Sequence, residues 1–256
     1  MKILLISGHG AGDSGATAKI KGKTYKEATE TIVMVKKIKE QLSSYNVTVD
    51  LYPTDRNAYE DAKAGCLKVD LSKYDYVLEI HFNACVNDLK GNGKTTGSET
   101  FITTSDKSKS VESSILSGLE KLGLKNRGVK SHNYTVIYRA KTKGADSCLL
   151  EVCFIDDADD MSIYLNNKDN IAKAIAAGII KEYNIKKKNT KTAKKLEVSS
   201  KIKIKSGAKD TNTGKKYKDF VYNTVYKVMS VSGDYVVFGT GGIATGKTKK
   251  SNCMLL

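Results

Sequence analysis

The sequence contains no apolar run that approaches the roughly 18 residues of a membrane-spanning helix, and its mean hydropathy is −0.37. We therefore do not expect a transmembrane protein. The first apolar run stops at Ile6, and Gly8 and His9 follow it in place of a longer apolar stretch and a cleavage site. No secretory signal peptide is predicted from this pattern. The 256 residues suffice for one large domain, or for a medium-sized and a small one.

Cysteine is also scarce, with five residues at irregular positions: Cys66, Cys85, Cys148, Cys153 and Cys253. An odd number at this spacing favours neither a disulfide framework nor a CxxC redox or zinc pair. The sequence therefore predicts synthesis and folding in a reducing cytoplasm.

Acidic residues are scarce only in the C-terminal part of the chain. Residues 1–185 contain 26 basic and 24 acidic side chains, whereas residues 186–256 contain 17 and 4. A small module this basic is expected to seek a polyanion, such as nucleic acid, an acidic membrane surface or an anionic cell wall. Residues 186–195 read KKKNTKTAKK, and this lysine-rich segment without large apolar side chains is predicted to be an extended linker.

Before the linker, short β-branched runs alternate with helical periods, which predicts a three-layer α/β/α domain around a mostly parallel, twisted sheet. Helices are predicted over Glu27–Leu42, around Val111–Leu122 and around Ile171–Tyr183. The predicted strands are Lys2–Ser7, Val47–Tyr52, Tyr76–Phe82, Ser98–Thr103, Thr135–Tyr138 and Cys148–Phe154.

After the linker the pattern changes, because short β-branched segments are separated by glycine-containing turns without a helical period. Residues 196–256 are therefore predicted to form a small all-β domain. Within it, Gly241–Thr248 matches the phosphate-binding pattern GxxxxGK[ST]. That mechanism needs a following helix, and too few residues remain to supply one, so a β-turn is the favoured interpretation.

A glycine-rich segment, Ser7–Gly15, follows the first predicted strand and contains one of only three histidines. Its glycine spacing does not fit a dinucleotide loop, which leaves a plain turn or a metal ligand at the carboxyl end of a strand. Period-two alternation places Glu79 and His81 on one face of their strand. Glu151 is an isolated carboxylate in an apolar strand, where burial without a partner is costly. From the residues alone, a metal or catalytic site and satisfied structural residues both remain open.

Taken in order, several segments resemble the zinc-dependent N-acetylmuramoyl-L-alanine amidases of the Amidase_3 type. The resemblance covers essentially residues 1–185, and the segments that carry it are ISGHGAGDSGA, YKEATETIVMVKKIKEQL, YDYVLEIHFNA, GSETFIT, LKNRGVKSHNYTVIYRAKTKGADSCLLEVCFIDD and IAKAIAAGIIKEY.

The resemblance implies one zinc ion per catalytic domain, held by His9, Glu27 and His81, with Glu151 as the catalytic residue. Glu30, one turn after Glu27, is the alternative carboxylate ligand. Two histidines and one carboxylate leave a fourth position open for water, as a catalytic zinc site requires. The resemblance also implies hydrolysis of the amide between N-acetylmuramic acid and L-alanine.

Two further residues have no role in this assignment. Glu79 is either a partner that orients His81 or a charge at the edge of the strand. His132 is expected in an exposed loop, with contact to substrate as the alternative.

The basic C-terminal module is similar to bacterial SH3-like cell-wall-binding domains, through its KSGA start and the segment YKVMSVSGDYVVFGTGGIATG. Together the two resemblances predict a peptidoglycan hydrolase similar to phage endolysins. Such an enzyme would be made in the host cytoplasm and would act on the cell wall after release. Its expected partners are peptidoglycan and anionic wall polymers, and not nucleic acid.

Two other classes of protein remain open. A catalytically inactive wall-binding protein would keep the C-terminal module and lose the zinc. A nucleic-acid-binding protein would explain the charge of the module, but it would need an exposed aromatic stacking face, whereas alternation points at least half of the module's aromatic residues inward.

Overall fold

The structure is a computed structural model that describes residues 1–188 and 196–256. It divides into two compact units, Met1–Lys188 and Asn189–Leu256. Of the predicted linker, residues 189–195 lie outside the described residues. Its first three lysines belong to the first unit: the Lys188 N–H donates to the Ser44 carbonyl at 2.8 Å and the Asn46 N–H donates to the Lys186 carbonyl at 2.8 Å.

The first unit is built from eight strands and five helices, in addition to a short 3₁₀ turn at Leu71–Lys73. The strands are β1 (Lys2–Ser7), β2 (Thr17–Ile20), β3 (Lys23–Lys26), β4 (Thr48–Leu51), β5 (Tyr76–Asn83), β6 (Ser98–Ile102), β7 (Asn126–Ser131) and β8 (Asp146–Phe154). The helices are α1 (Glu27–Leu42), α2 (Ala58–Lys63), α3 (Ser110–Glu120), α4 (Thr135–Thr142) and α5 (Ala158–Glu182).

Six of these strands form one sheet in the order β4-β1-β5-β8-β6-β7, while β2 and β3 form a separate hairpin. Helices cover both faces of the sheet, and successive side chains of β1 therefore pack into two different cores. Ile3 and Leu5 pack with α1, α3 and α5 on one face, and Leu4 and Ile6 pack with α2 and α4 on the other. The predicted α/β class is confirmed, with a central sheet between helices.

The sheet is mostly parallel, as predicted from the sequence, but it is mixed because one neighbouring pair is antiparallel. Four neighbouring pairs run parallel, but β6 runs antiparallel to β8. The connection from β5 to β6 contains no helix. A strand that runs parallel to the previous one needs a crossover connection that returns the chain to the opposite end of the sheet. The connection from β5 to β6 does not cross over, so the chain re-enters at the end of the sheet where β5 left it.

The predicted strand Thr135–Tyr138 is wrong, because these residues begin helix α4. Thr, Val and Ile are typical of strands, but Val136 and Ala140 lie four residues apart and both pack into the core beside α2. The burial of this helical face overrides the local β-propensity.

Several elements were absent from the sequence-based prediction, among them helix α2. Strand β7 has a polar sequence and lies at the edge of the sheet, where no apolar alternation is required. The hairpin of β2 and β3 turns at Lys21 and Gly22, whose φ angles of 48° and 81° are both positive. Two positive φ angles are the mark of a two-residue hairpin turn.

The second unit contains a five-stranded antiparallel sheet in the order β12-β11-β10-β9-β13. Its elements are β9 (Lys201–Ile204), the short helix α6 (Asp219–Asn223), β10 (Tyr226–Ser232), β11 (Tyr235–Thr240), β12 (Ile243–Lys249) and β13 (Cys253–Leu255). The phosphate-loop pattern at Gly241–Thr248 falls on the turn into β12 and on β12 itself. No phosphate-binding helix follows it in the described part of the chain, as expected.

Across residues 1–188 and 196–256, no helix is long and apolar enough to cross a membrane.

Candidate metal centre and active site

His9, Glu27 and His81 come together where β1 and β5 end, beside the first turn of α1. One potential ligand atom from each residue lies within 4.8 Å of the others. His9 Nε2 is 3.1 Å from Glu27 Oε2, and His81 Nδ1 is 2.9 Å from Glu27 Oε1. The two imidazole rings meet edge to face with their centroids 5.0 Å apart. The three residues form a group that can hold a metal ion.

The Glu27 carboxylate is fixed by the backbone as well as by the two rings. Oε2 accepts the Ala16 N–H at 2.9 Å and Oε1 accepts the Phe82 N–H at 3.0 Å. Burial opposes its ionisation, but the hydrogen bonds from His81 and His9 hold the pKa of Glu27 well below its usual range. The position of the carboxylate is therefore set by α1, by the loop after β1 and by the end of β5 together.

The glycine-rich loop leaves room for this cluster. A Cβ atom on Gly8 would lie 2.3 Å from the His81 ring, and one on Gly15 would lie 2.7 Å from both Glu27 Oε2 and the His9 ring. Gly15 also has a φ of 61°, in the left-handed region that favours glycine. No side chain fits at either position without displacing a residue of the cluster.

The loop is also tied to the start of α1. The N–H groups of Glu27 and Ala28 donate to the carbonyls of Ala16 and Ser14, at 2.9 and 3.1 Å. The Thr31 hydroxyl donates to the buried Gly8 carbonyl at 3.0 Å. The first two bonds satisfy helix N–H groups that would otherwise lack partners, and all three fix His9 relative to Glu27.

Each imidazole has a further carboxylate beside its second nitrogen. Asp13 Oδ2 lies 2.7 Å from His9 Nδ1 and also accepts the Asn57 side-chain amide at 3.2 Å. Glu79 Oε1 lies 3.4 Å from His81 Nε2. Carboxylates in this position orient metal-binding histidines and raise their basicity. Sequence reasoning missed Asp13, although an acid four residues after His9 in the same loop was the available signal.

The protonation of both histidines follows from these contacts. The hydrogen bond with Glu27 raises the pKa of His9 above its ordinary value, against the opposing effect of burial. Burial also opposes the charged form of His81, but hydrogen bonds with Glu27 and Glu79 raise its pKa well above the usual value.

Glu30, the alternative ligand, does not join the cluster. Its Oε2 accepts the Tyr164 hydroxyl at 2.8 Å and the Lys168 ammonium at 2.6 Å. One helical turn after Glu27, this carboxylate therefore fastens α1 to α5.

Glu151 lies on β8 directly opposite His81 on β5. Its Oε2 is buried and has no hydrogen-bond partner among the described residues. Burial raises the pKa of Glu151 to about 7, although the nearby His81 opposes this shift. A carboxyl group with a pKa near neutrality can both accept and donate a proton under physiological conditions.

A neighbouring carboxylate, Glu99, has a lowered pKa where that of Glu151 is raised. Glu99 lies opposite Glu151 on β6 and is 3% exposed. It accepts hydrogen bonds from Arg127 Nε at 2.7 Å, from Asn83 Nδ2 at 2.8 Å and from the Lys130 ammonium. Burial opposes its ionisation, but Lys130 and Arg127 lower the pKa of Glu99. Of these two cross-strand neighbours, only Glu99 has lysine and arginine side chains that hold it ionised.

His9, His81, Glu79 and Glu151 line one cavity of about 440 Å³. His132 also lines this cavity, with its ring centroid 4.4 Å from that of Tyr134. Both sequence-based expectations for His132 are thus compatible with its position, which is exposed and on the wall of the cavity. The remaining lining residues are Asp13, Asn57, Tyr59, Glu60, Asn133, Tyr134, Thr135, Val136 and Leu149.

Comparison with known proteins relates this arrangement to one family. Residues 3–181 match the Amidase_3 model, described as N-acetylmuramoyl-L-alanine amidase. The endolysin of Bacillus phage SPP1 is 29% identical over 205 residues, which cover 76% of this chain and 70% of the endolysin.

Solved structures share the fold. The catalytic domain of CwlV, an N-acetylmuramoyl-L-alanine amidase from Bacillus (Paenibacillus) polymyxa var. colistinus, superposes with a TM-score of 0.57 at 24% identity, over 72% of this chain and 99% of that domain. The catalytic domain of CD27L, an endolysin targeting Clostridia difficile, gives a TM-score of 0.57 at 23% identity, over 71% of this chain and 97% of that domain.

The family match spans most of the chain and includes every residue of the cluster and Glu151. The protein belongs to the N-acetylmuramoyl-L-alanine amidase family and is a peptidoglycan amidase homologous to a phage endolysin.

Proposed function

We propose that the protein is a zinc-dependent endolysin that cleaves the amide bond between the lactyl group of N-acetylmuramic acid and L-alanine. The observation that supports this most directly is the cluster of His9, Glu27 and His81 in a chain of the amidase family, together with Glu151, whose Oε2 is buried without a hydrogen-bond partner among the described residues. Release from the host cytoplasm onto the wall, followed by lysis, is the proposed setting.

His9, Glu27 and His81 would hold the zinc ion. Two imidazole nitrogens and one carboxylate are ligands that zinc prefers, and three protein ligands leave a position open, as in catalytic zinc sites. Asp13 and Glu79 would keep the two rings oriented, and the N–H groups of Ala16 and Phe82 would hold the carboxylate. The bound zinc would supply a Lewis acid that lowers the pKa of water and polarises the scissile carbonyl.

Glu151 would act as the proton carrier. In the ionised form it would take a proton from the attacking water, and it would then deliver that proton to the amine nitrogen of L-alanine as the amide bond breaks. Its unpartnered oxygen and its place opposite His81 support this role. Glu99 is unsuited to it because Arg127 and Lys130 hold that carboxylate ionised.

The second unit would keep the enzyme on the wall. We assign residues 1–185 to the catalytic domain, residues 186–195 to the linker and residues 196–256 to an SH3-like wall-binding domain. The excess of basic over acidic residues after position 185 supports attachment to an anionic wall. Such attachment would raise the local concentration of peptidoglycan around the catalytic domain.

The test combines metal content with release of alanine amines from purified peptidoglycan. The unsubstituted chain should contain about one zinc per chain and should release amines. His81→Ala should lose both the zinc and the activity, whereas His132→Ala, which removes a histidine outside the cluster, should keep the zinc. A reconstituted chain without zinc, or equal zinc in both variants, would contradict the proposed metal site.

A further inference from the structure

The second unit presents lysines on one side of its sheet. Each of the strands β9 to β12 has an inward-facing residue that is at most 1% exposed: Ile202, Val228, Phe238 and Thr248. The residues between them point to the other side, and this outward side carries five lysines, here called the lysine face. The lysine face consists of Lys201, Lys203, Lys227, Lys247 and Lys249.

No carboxylate side chain balances these charges within the sheet. The five strands contain no Asp or Glu, and the four acidic residues of the second unit lie outside the strands. Among the ion pairs between side chains of the described residues, none includes a lysine of this face. The lysine face is therefore a positive surface whose strands contain no acidic side chain.

The register of the sheet makes this arrangement costly. Lys201 and Lys227 are direct cross-strand partners on β9 and β10, and like charges directly opposite each other destabilise a sheet. Lys203 lies opposite Met254 rather than opposite an acid. A bound polyanion would relieve this repulsion and would therefore increase the stability of the sheet.

The chemistry of the face indicates which polyanion it suits. Residues 189–256 contain no arginine, the residue that reads planar bidentate groups, and lysine acts on phosphate as a point charge. Tyr226 and Phe238, which would serve for base stacking, are 2% and 0% exposed. On the lysine face the aromatic residue is Tyr235, with the Lys247 ammonium 5.3 Å from its ring centroid. A single aromatic ring does not provide a row of stacking residues, so the face is better suited to phosphates than to bases.

We infer that the lysine face binds a phosphodiester-linked polyol of the bacterial wall, through its phosphate groups. This inference rests on the proposed function, because the wall-directed amidase activity is what favours a wall polymer over other phosphate polymers. It assigns the binding to one face of the second unit rather than to its net charge.

The direct test measures binding of the full chain to purified poly(glycerol phosphate) as a function of salt. This polymer is not an amidase substrate, so the result does not depend on the catalytic proposal. The test variant is Lys201→Gln/Lys203→Gln/Lys227→Gln. The matched control is Lys209→Gln/Lys215→Gln/Lys216→Gln, which removes the same charge from exposed positions outside the strands.

We expect the test variant to bind at least about tenfold more weakly, and its slope of log K against log salt to fall by about 2, because each phosphate contact contributes about 0.7 to 0.9. The control variant should stay within about twofold of the unsubstituted chain, since its lysines make no such contacts. Equal losses in the two variants would show that net charge and not the lysine face is responsible. Circular dichroism of both variants would show whether the fold is retained.

A second experiment distinguishes binding to the phosphodiester polymer of the wall from binding to peptidoglycan or to nucleic acid. The full chain carrying Glu151→Gln is sedimented with intact walls and with walls stripped of phosphodiester polymers by hydrofluoric acid. We expect retention on the intact walls alone. Equal retention on stripped walls would overturn the inference in favour of peptidoglycan binding, and tighter binding to single-stranded DNA than to poly(glycerol phosphate) at equal phosphate would overturn it in favour of nucleic acid.

Discussion

Two groups of side chains in the first unit are close enough to hold a metal ion, and they differ in what surrounds them. One is His9, Glu27 and His81, and the other is Asp88, Asp157 and Asp159. The first combines two imidazoles with one carboxylate, and its histidines line the cavity that also contains Glu151. The second consists of carboxylates whose contacts are mainly with the backbone.

The contacts of Asp157 and Asp159 explain why these two carboxylates of the second group are there. Asp157 Oδ1 accepts the N–H groups of Asp159 and Asp160 at the start of α5, and Oδ2 accepts the Thr96 N–H and hydroxyl. Asp159 Oδ2 accepts the N–H groups of Asn92 and Gly93. This group caps a helix and fastens the loop before β6. Proximity of acidic groups alone is thus a weaker sign of a metal site than imidazoles oriented by further carboxylates.

The largest expected effect comes from replacing each of two glutamates that lie one turn apart on α1. Glu27→Gln should remove the metal and abolish amine release, because it replaces the charged ligand between the two histidines. Glu30→Gln should keep the metal, since Glu30 binds Tyr164 and Lys168 instead, and should lower the free energy of unfolding. Elemental analysis and denaturant unfolding of the two variants check this, and metal loss in Glu30→Gln would contradict the assignment of the ligand.

Glu151→Gln should keep the metal and lower kcat by about 10²- to 10⁴-fold, the contribution of general acid–base catalysis. The amide cannot carry the proton, but it has nearly the same shape and leaves the fold intact. Steady-state kinetics on soluble muropeptides provide the measurement. A loss of metal equal to that of His81→Ala would indicate that Glu151 is a ligand and not the proton carrier.

Asp13→Asn tests the carboxylate beside His9. Metal affinity should fall by about 10- to 100-fold, the usual effect of removing a partner that orients a ligand. Competition with a chelator of known affinity measures the change. An unchanged affinity would show that the hydrogen bond of 2.7 Å between Asp13 and His9 fixes the loop without tuning the ligand.

Asp157→Ala should lower the free energy of unfolding by about 2 kcal/mol, through loss of a helix cap and of the bonds from Thr96. Metal content should stay unchanged, in contrast to every substitution in the first group. Thermal unfolding and elemental analysis on the same sample provide both values. Loss of metal together with stability would mean that the two groups differ less than their contacts indicate.

The elements with strong local signals were predictable. The sequence-based prediction of α1 agrees with the structure at both ends, and β1 agrees as well, because their apolar periods match the burial of one helical face and of both sides of a strand. The turn at Gly241 was predictable from the residues that follow it. Glu151 was conspicuous because an apolar strand gives a carboxylate no structural reason to be there.

Other features depended on neighbours that are distant in the sequence. Whether Thr135–Thr142 is a strand or a helix was decided by burial of Val136 and Ala140 beside α2. The choice between Glu27 and Glu30 was decided by which side chain faces β5 and which faces α5. Nothing local to either glutamate distinguishes them, since both are acids in the first turn of the same helix.

By itself the sequence determined the types of chemistry available: three histidines and several isolated acids in the first unit, and an excess of lysine in the second. These follow from composition and period, which depend on each residue and its near neighbours. Tertiary structure alone decided which acids meet which histidines, which buried carboxylate is held by lysine and arginine, and which lysines share a face of the sheet. Those outcomes depend on strand order and register, because pairing between strands brings together residues from distant parts of the chain.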